Sequence, residues 1–117
     1  MIYQTEVKGI GTEASAFEEE KMVILFGNNA PDELVDFCYI IDINEVKGDI
    51  TEESMLKVDE TEYEITKVGS AVRKNLNDLG HITLKFDGSV TADQSGTLYL
   101  EDKGMPKIKE NSVLTIQ

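Results

Sequence analysis

Cysteine, histidine and tryptophan are nearly missing from this sequence, which holds one Cys, one His and no Trp in 117 residues. With Cys38 alone, no disulfide can form within the chain. One Cys and one His also fall short of any Cys/His zinc site, so no metal is expected. No phosphate-cradling glycine loop is present, and Gly9-x-Gly11 lacks the third glycine and opening helix of a dinucleotide site. No Gly-x-Ser-x-Gly elbow occurs to present a serine nucleophile. The expectation is a protein without a bound cofactor.

Positive charge is scarce as well. Eleven Lys and Arg face 23 Asp and Glu, a formal net charge of −12. Nucleic-acid binding requires a basic footprint, and an anionic leaflet repels such a surface, so neither partner is expected. A basic protein partner is favoured by complementary fields, although plain solvation also accounts for the acidity. Long apolar runs are absent too. Met22 to Phe26 and Phe37 to Ile43 are far shorter than the ~20 residues of a membrane helix. The chain opens MIYQTEVKG, without a basic segment leading into an apolar signal region. A cytoplasmic protein with no direct membrane insertion is expected.

What is present suits one globular domain over residues 1–117, with 40% apolar and 29% charged residues. Ile2 to Lys8 is β-friendly, and Thr12 to Glu20 reads as an exposed acidic connector. Lys21 to Phe26 is apolar on both faces and ends at Gly27. Pro31 to Asp36 suits a short helix, with Pro31 in its first turn and Asp32 and Glu33 at the positive end of its dipole. Phe37 to Ile43 then alternates as a strand, with Phe37, Tyr39, Ile41 and Ile43 on one face. Met55 to Val58 and Tyr63 to Val68 form a further pair of strands. Ser70 is placed to cap a second helix from Ala71 to Leu79, closed by Gly80 and striped by Val72, Leu76 and Leu79. His81 to Phe86, Thr97 to Glu101 and Val113 to Ile116 supply the remaining strands. Short strands, two small helices and no βαβ rhythm predict an all-β fold, a closed or nearly closed barrel.

One internal echo supports this architecture. Ile50, Glu52, Ser54, Leu56 and Val58 recur at constant spacing as Ile108, Glu110, Ser112, Leu114 and Ile116. Two similar strand-turn-strand units packed about a pseudo-twofold axis would produce that pattern.

Among groups that could do chemistry, His81 is the only imidazole. Its unperturbed pKa near 6.5 makes the neutral ring a nucleophile at pH 7. On the strand reading His81, Thr83 and Lys85 share the polar face, where Lys85 could steady a phosphate. The plainer alternative is a structural histidine at the helix-to-strand corner, bonded to the chain near Gly80. Cys38, on an apolar segment without basic neighbours, reads as an inert small hydrophobe. Asp42 reads as a solvated strand end, since Glu45 alone is poor support for an acyl-phosphate site.

Several stretches together resemble a known family. They are Ile2-Tyr3-Gln4-Thr5, Phe37-Cys38-Tyr39-Ile40, Glu45-Val46-Lys47-Gly48, Val68-Gly69-Ser70 and the block from Leu79-Gly80-His81 through Phe86-Asp87-Gly88. In that order they resemble the glucitol/sorbitol-specific IIA component of the bacterial phosphoenolpyruvate-dependent phosphotransferase system. The resemblance implies a small cytoplasmic β-barrel phosphocarrier that takes a phosphoryl group from HPr. It would pass the group to the sorbitol IIB component while IIC imports the sugar, with no metal and no sugar contact of its own. In that family the acceptor histidine lies three residues past the cysteine, and some members carry a second histidine two residues further on. Here Ile41 and Ile43 occupy those places. His81 corresponds to a family histidine assigned to support of the site.

Three functions stay open on this reading: a carrier using His81 as acceptor, a non-phosphorylatable member that binds partner proteins, and a relic or unrelated binding barrel. An edge-paired or intertwined homodimer is open to a short-stranded barrel. His81 beside Ile41 in an open groove would favour the carrier. An enclosed Ile41 with a remote or buried His81 would count against it.

Overall fold

The computed structural model describes residues 1–117. Eight strands make the wall: β1 (Tyr3–Ile10), β2 (Met22–Gly27), β3 (Tyr39–Ile41), β4 (Met55–Val58), β5 (Thr61–Val68), β6 (Ile82–Lys85), β7 (Thr97–Leu100) and β8 (Val113–Ile116). A 3-10 helix, η1 (Ala14–Glu20), and two short α-helices, α1 (Asp32–Val35) and α2 (Val72–Leu79), lie between them. The strands close in the order β1-β3-β2-β6-β7-β5-β4-β8. Closure leaves no free sheet edge to recruit another chain. The β2–β3 and β6–β7 pairs are parallel, and the rest are antiparallel. One cluster of 22 buried apolar side chains fills the lumen, so a functional site must lie on the outer wall or at the barrel ends.

The echo seen in the sequence is part of a duplication that spans the whole barrel. In the β4–β8 ladder, Leu56 pairs with Ile116 and Val58 with Leu114, so each half of the echo lies against its own copy. Ser54 Oγ accepts from the Thr51 amide at 3.2 Å, and Ser112 Oγ repeats this with Lys109 at 3.0 Å. β1 and β5 are both eight residues long, with bulges at Val7/Gly9 and Ile65/Lys67. The Gly11 amide bonds the Cys38 carbonyl as the Gly69 amide bonds that of Thr97. The Glu13–Asp36 and Ala71–Ser95 bonds form a third such pair. η1 and α2 end alike, on left-handed residues Lys21 (φ 61°) and Gly80 (φ 65°). β1 to β4 thus correspond to β5 to β8.

Several local expectations need correction. Residues 12–20 are not a featureless connector. Ala14 is buried at the start of η1, and the Lys21 amide closes the helix onto the Glu18 carbonyl. β3 covers only Tyr39–Ile41, because the Phe37 and Cys38 amides are taken by the Leu34 and Val35 carbonyls in an extension of α1. Past Ile41 the chain leaves the ladder, as the Asp42 carbonyl accepts from Thr5 Oγ1 at 2.9 Å. Ser70 does not cap α2, whose N-cap is Ala71 without a side-chain bond. Leu79 is 38% exposed, so only Val72 and Leu76 of the expected stripe are buried.

Candidate functional site

Ile41 is the last residue of β3, paired with Gly27 on one side and Val7 on the other. Its side chain points into the lumen and is 0% exposed. The backbones at Gly27 and at Leu79–Gly80 meet beside it, with the Ile43 side chain packed against Gly27. A Cβ on Gly80 would lie 3.1 Å from the Gly27 amide nitrogen and 3.5 Å from Ile41 Cδ1. A Cβ on Gly27 would strike the Ile43 side chain and the Leu79 carbonyl. Both glycines are therefore required by close approach, Gly80 also by its positive φ. Ile43, half-exposed, covers this end of the barrel.

The duplication explains why the end is crowded by Ile43. Leu25 pairs with Tyr39 as Leu84 pairs with Leu98, which makes Gly27 the counterpart of Phe86. Phe86 plugs its own end of the barrel, 1% exposed and edge-on to Tyr63 at 4.8 Å. At the Gly27 end that ring is missing, and isoleucine side chains take up the room.

His81 lies close in sequence to this end, one residue after Gly80, but its ring is on the other side of the wall. Ile82, Leu84 and Phe86 point inward, while His81, Thr83 and Lys85 line an outer cleft of about 470 Å³ together with Asn75 and Gln94. The polar face read from the sequence is therefore correct. The ring stacks on Phe26 with centroids 4.1 Å apart and planes at 19°. Its Nδ1 lies 3.1 Å from the Leu25 carbonyl, so Nδ1 carries the proton and Nε2 the lone pair of the neutral ring. The structural bond thus reaches across to β2 and not to the chain near Gly80. Lys85 lies in the cleft, but its Nζ is 3.7 Å from Asp87. Burial pushes the Asp87 carboxyl up, yet bonds from Ser89 and the Lys85 charge outweigh it and hold the pKa below the usual range. Lys85 is therefore already engaged by an ionised carboxylate.

Cys38 is 2% exposed, its Sγ donates to the Leu34 carbonyl at 3.2 Å, and burial pushes its pKa up, away from thiolate chemistry. Asp42 is exposed and faces Lys8 at 3.8 Å. It borders a second cleft of about 500 Å³ with Tyr3, Thr5, Asn44, Glu45 and Lys47. No three His, Cys, Asp or Glu side chains converge there or elsewhere in a metal-holding arrangement.

A sequence model described as the PTS system glucitol/sorbitol-specific IIA component matches residues 2–115. The chain belongs to this glucitol/sorbitol-specific IIA family. It is 34% identical over 117 residues to the glucitol/sorbitol-specific EIIA components of Shigella flexneri and of Escherichia coli strain K12. Those alignments cover 100% of this chain and 95% of each relative. The crystal structure of a PTS system IIA component from Enterococcus faecalis V583 superimposes with a TM-score of 0.86 at 34% identity, covering 97% of this chain and 98% of that one. The barrel described above is thus the IIA-family barrel. No helix of this family member is long and apolar enough to cross a membrane.

Tyr3, beside the second cleft, gives this IIA-family chain a pH signature. Its Oη is buried without a hydrogen-bond partner. Burial pushes its pKa from 10.0 up to about 12, offset only in part by the nearby Thr5 hydroxyl, whose proton goes to the Asp42 carbonyl and not to Tyr3, and reinforced by the Asp42 charge. A folded pKa above the unfolded value means stability is complete below pH 10 and is lost as pH climbs toward 12. The loss amounts to about 2–3 kcal/mol. Tyr3→Phe is expected to remove that alkaline loss and leave neutral-pH stability within ~1 kcal/mol. Urea unfolding at pH 7 and pH 11 checks it; an unchanged alkaline slope in the variant would refute the assignment.

Proposed function

We propose that this protein takes the IIA place in a phosphoenolpyruvate-dependent glucitol/sorbitol phosphotransferase system, docking between HPr and the IIB component without carrying phosphate at position 41. Full-length family membership supports the place in the system. The observation that carries the rest is the enclosed, wholly hydrocarbon side chain of Ile41. Transfer from a phosphohistidine breaks one P–N bond and requires an acceptor lone pair in line with it, which isoleucine does not have. The net charge of −12 also opposes the approach of a phosphoryl group unless local cations offset it, and Lys85 is held by Asp87. The protein then acts as a permanently unphosphorylated member that binds the system's proteins.

A second reading rests on His81. Its Nε2 keeps a lone pair and its ring borders an outer cleft, which supports relay through His81 in place of position 41. HPr would then dock on the outer wall and not at the barrel end. Labelled phosphoenolpyruvate with Enzyme I and HPr separates the two. The expected result is no acid-labile label on the wild-type chain, with unaltered binding to IIB by calorimetry. Label that appears on the wild type and vanishes in His81→Ala would replace the docking reading with the relay.

A further inference from the structure

On the outer surface, η1 and α1 together present an apolar spot with an acidic surround. The rings of Phe17 and Phe37 lie 6.0 Å apart. The Phe37 amide bonds the Leu34 carbonyl, which sets these two side chains on one face of the turn. Leu34 is 42% exposed and Phe37 is 37% exposed. Glu18, Glu19 and Glu20 of η1, with Asp32, Glu33 and Asp36 on and beside α1, are all exposed. None of the six is within an ion pair, although seven other acidic residues of the chain are. Lys21, the one basic residue in this stretch, is turned away to Asp102 at 2.6 Å.

The duplicated half supplies an internal control. The bonds from Gly11 to Cys38 and from Glu13 to Asp36 match those from Gly69 to Thr97 and from Ala71 to Ser95. Leu34 therefore corresponds to Asp93 and Phe37 to Gly96. The second half carries an aspartate and a glycine at these positions, so the barrel does not need exposed leucine and phenylalanine there.

We propose that the Phe17–Leu34–Phe37 spot is a docking surface for a protein segment that carries Lys or Arg around an apolar anchor. The apolar centre supplies area to bury, and the unpaired carboxylates select the sign of the partner's rim and speed its approach. None of the three side chains lines the cleft at His81. The surface is small, which fits a transient encounter. The proposal is independent of whether phosphate is carried, because its test reads no phosphoryl transfer.

The probe is a synthetic amphipathic helical peptide with leucine on one face and lysine on the other, titrated into the full chain and followed by amide NMR. A matched peptide with glutamate for lysine is the control. Shifts are expected to concentrate in residues 14–20 and 32–38, with affinity falling about tenfold or more on raising salt, as exposed charge pairs are screened. Leu34→Ser with Phe37→Ser should abolish the localised shifts, and Glu18→Lys with Glu19→Lys, which spares the packing, should weaken them about tenfold. Equal binding of the glutamate peptide, or shifts located elsewhere, would overturn the proposal. So would a chain that self-associates in sedimentation and becomes monomeric in Leu34→Ser with Phe37→Ser, because the occupant would then be a second copy.

Discussion

Replacing Ile41 by histidine is expected to destabilise the fold by about 3–5 kcal/mol. The variant gives up most of a buried isoleucine, worth roughly 1.5–3 kcal/mol, and leaves an imidazole among apolar groups at a further ~1–3 kcal/mol. The surroundings offer the ring little, since Val7 and Ile41 are both 0% exposed and Gly27 and Gly80 contribute no side chains. Ile43 is the group that holds water out, because its side chain occupies the space over Gly27. Ile41→His together with Ile43→His should therefore cost less than the sum of the single changes, by about 1 kcal/mol or more, as the opened end lets water reach the first ring. Urea unfolding of the four proteins in the cycle measures this coupling. Strict additivity, or an Ile41→His protein as stable as the wild type, would show that this end of the barrel is already wet. The double variant is also the one to expose to charged HPr. If position 41 is all that the transfer route lacks, it takes up acid-labile label where the wild type takes none.

Much of this was readable along the chain, and the failures have a common physical origin. Ile82 to Phe86 alternates cleanly, so both the inward row and the outer face of His81 followed from a period of two. The direction of Ile41 did not follow from that rule, because Phe37, Tyr39, Ile41 and Ile43 share one face in a period of two, yet only Tyr39 and Ile41 are buried and Phe37 and Ile43 are exposed. Nor did the cover over Ile41, because it depends on Gly27 and Gly80, which meet Ile43 only once the barrel closes. Likewise the Leu25 carbonyl that fixes the His81 ring comes from a neighbouring strand far away in sequence. Phe37 resembled a strand residue because its successors are β-friendly, and a backbone bond to Leu34 decided otherwise. η1 was masked by Glu18 to Glu20, which give no apolar period, although Ala14 anchors it. Of the duplication, only the β4/β8 part kept its residue types. The other strands kept their hydrogen bonds and bulges while their side chains diverged, and Gly27 against Phe86 is the divergence that shaped the candidate site.

That last difference yields the second large expected effect. Phe86→Ala should lower stability by about 3–5 kcal/mol, because an aromatic ring that is 1% exposed is removed and its cavity is lined by the Tyr63 ring 4.8 Å away. In a domain of this size that corresponds to a Tm lower by about 10–20 °C. The surroundings restrict relaxation. The Phe86 amide is bonded to the Lys21 carbonyl, and Tyr63 Oη donates to the Gly104 carbonyl at 3.2 Å, so neither neighbour is free to collapse inward. Gly27 does without such a ring only because Ile41 and Ile43 supply hydrocarbon from β3 and the loop after it. At the Phe86 end the matching loop carries Asp102, which turns outward to Lys21 and fills nothing. A calorimetric loss below about 1 kcal/mol for Phe86→Ala would mean that the second end collapses as readily as the first, and the asymmetry between the two barrel ends would not explain the site.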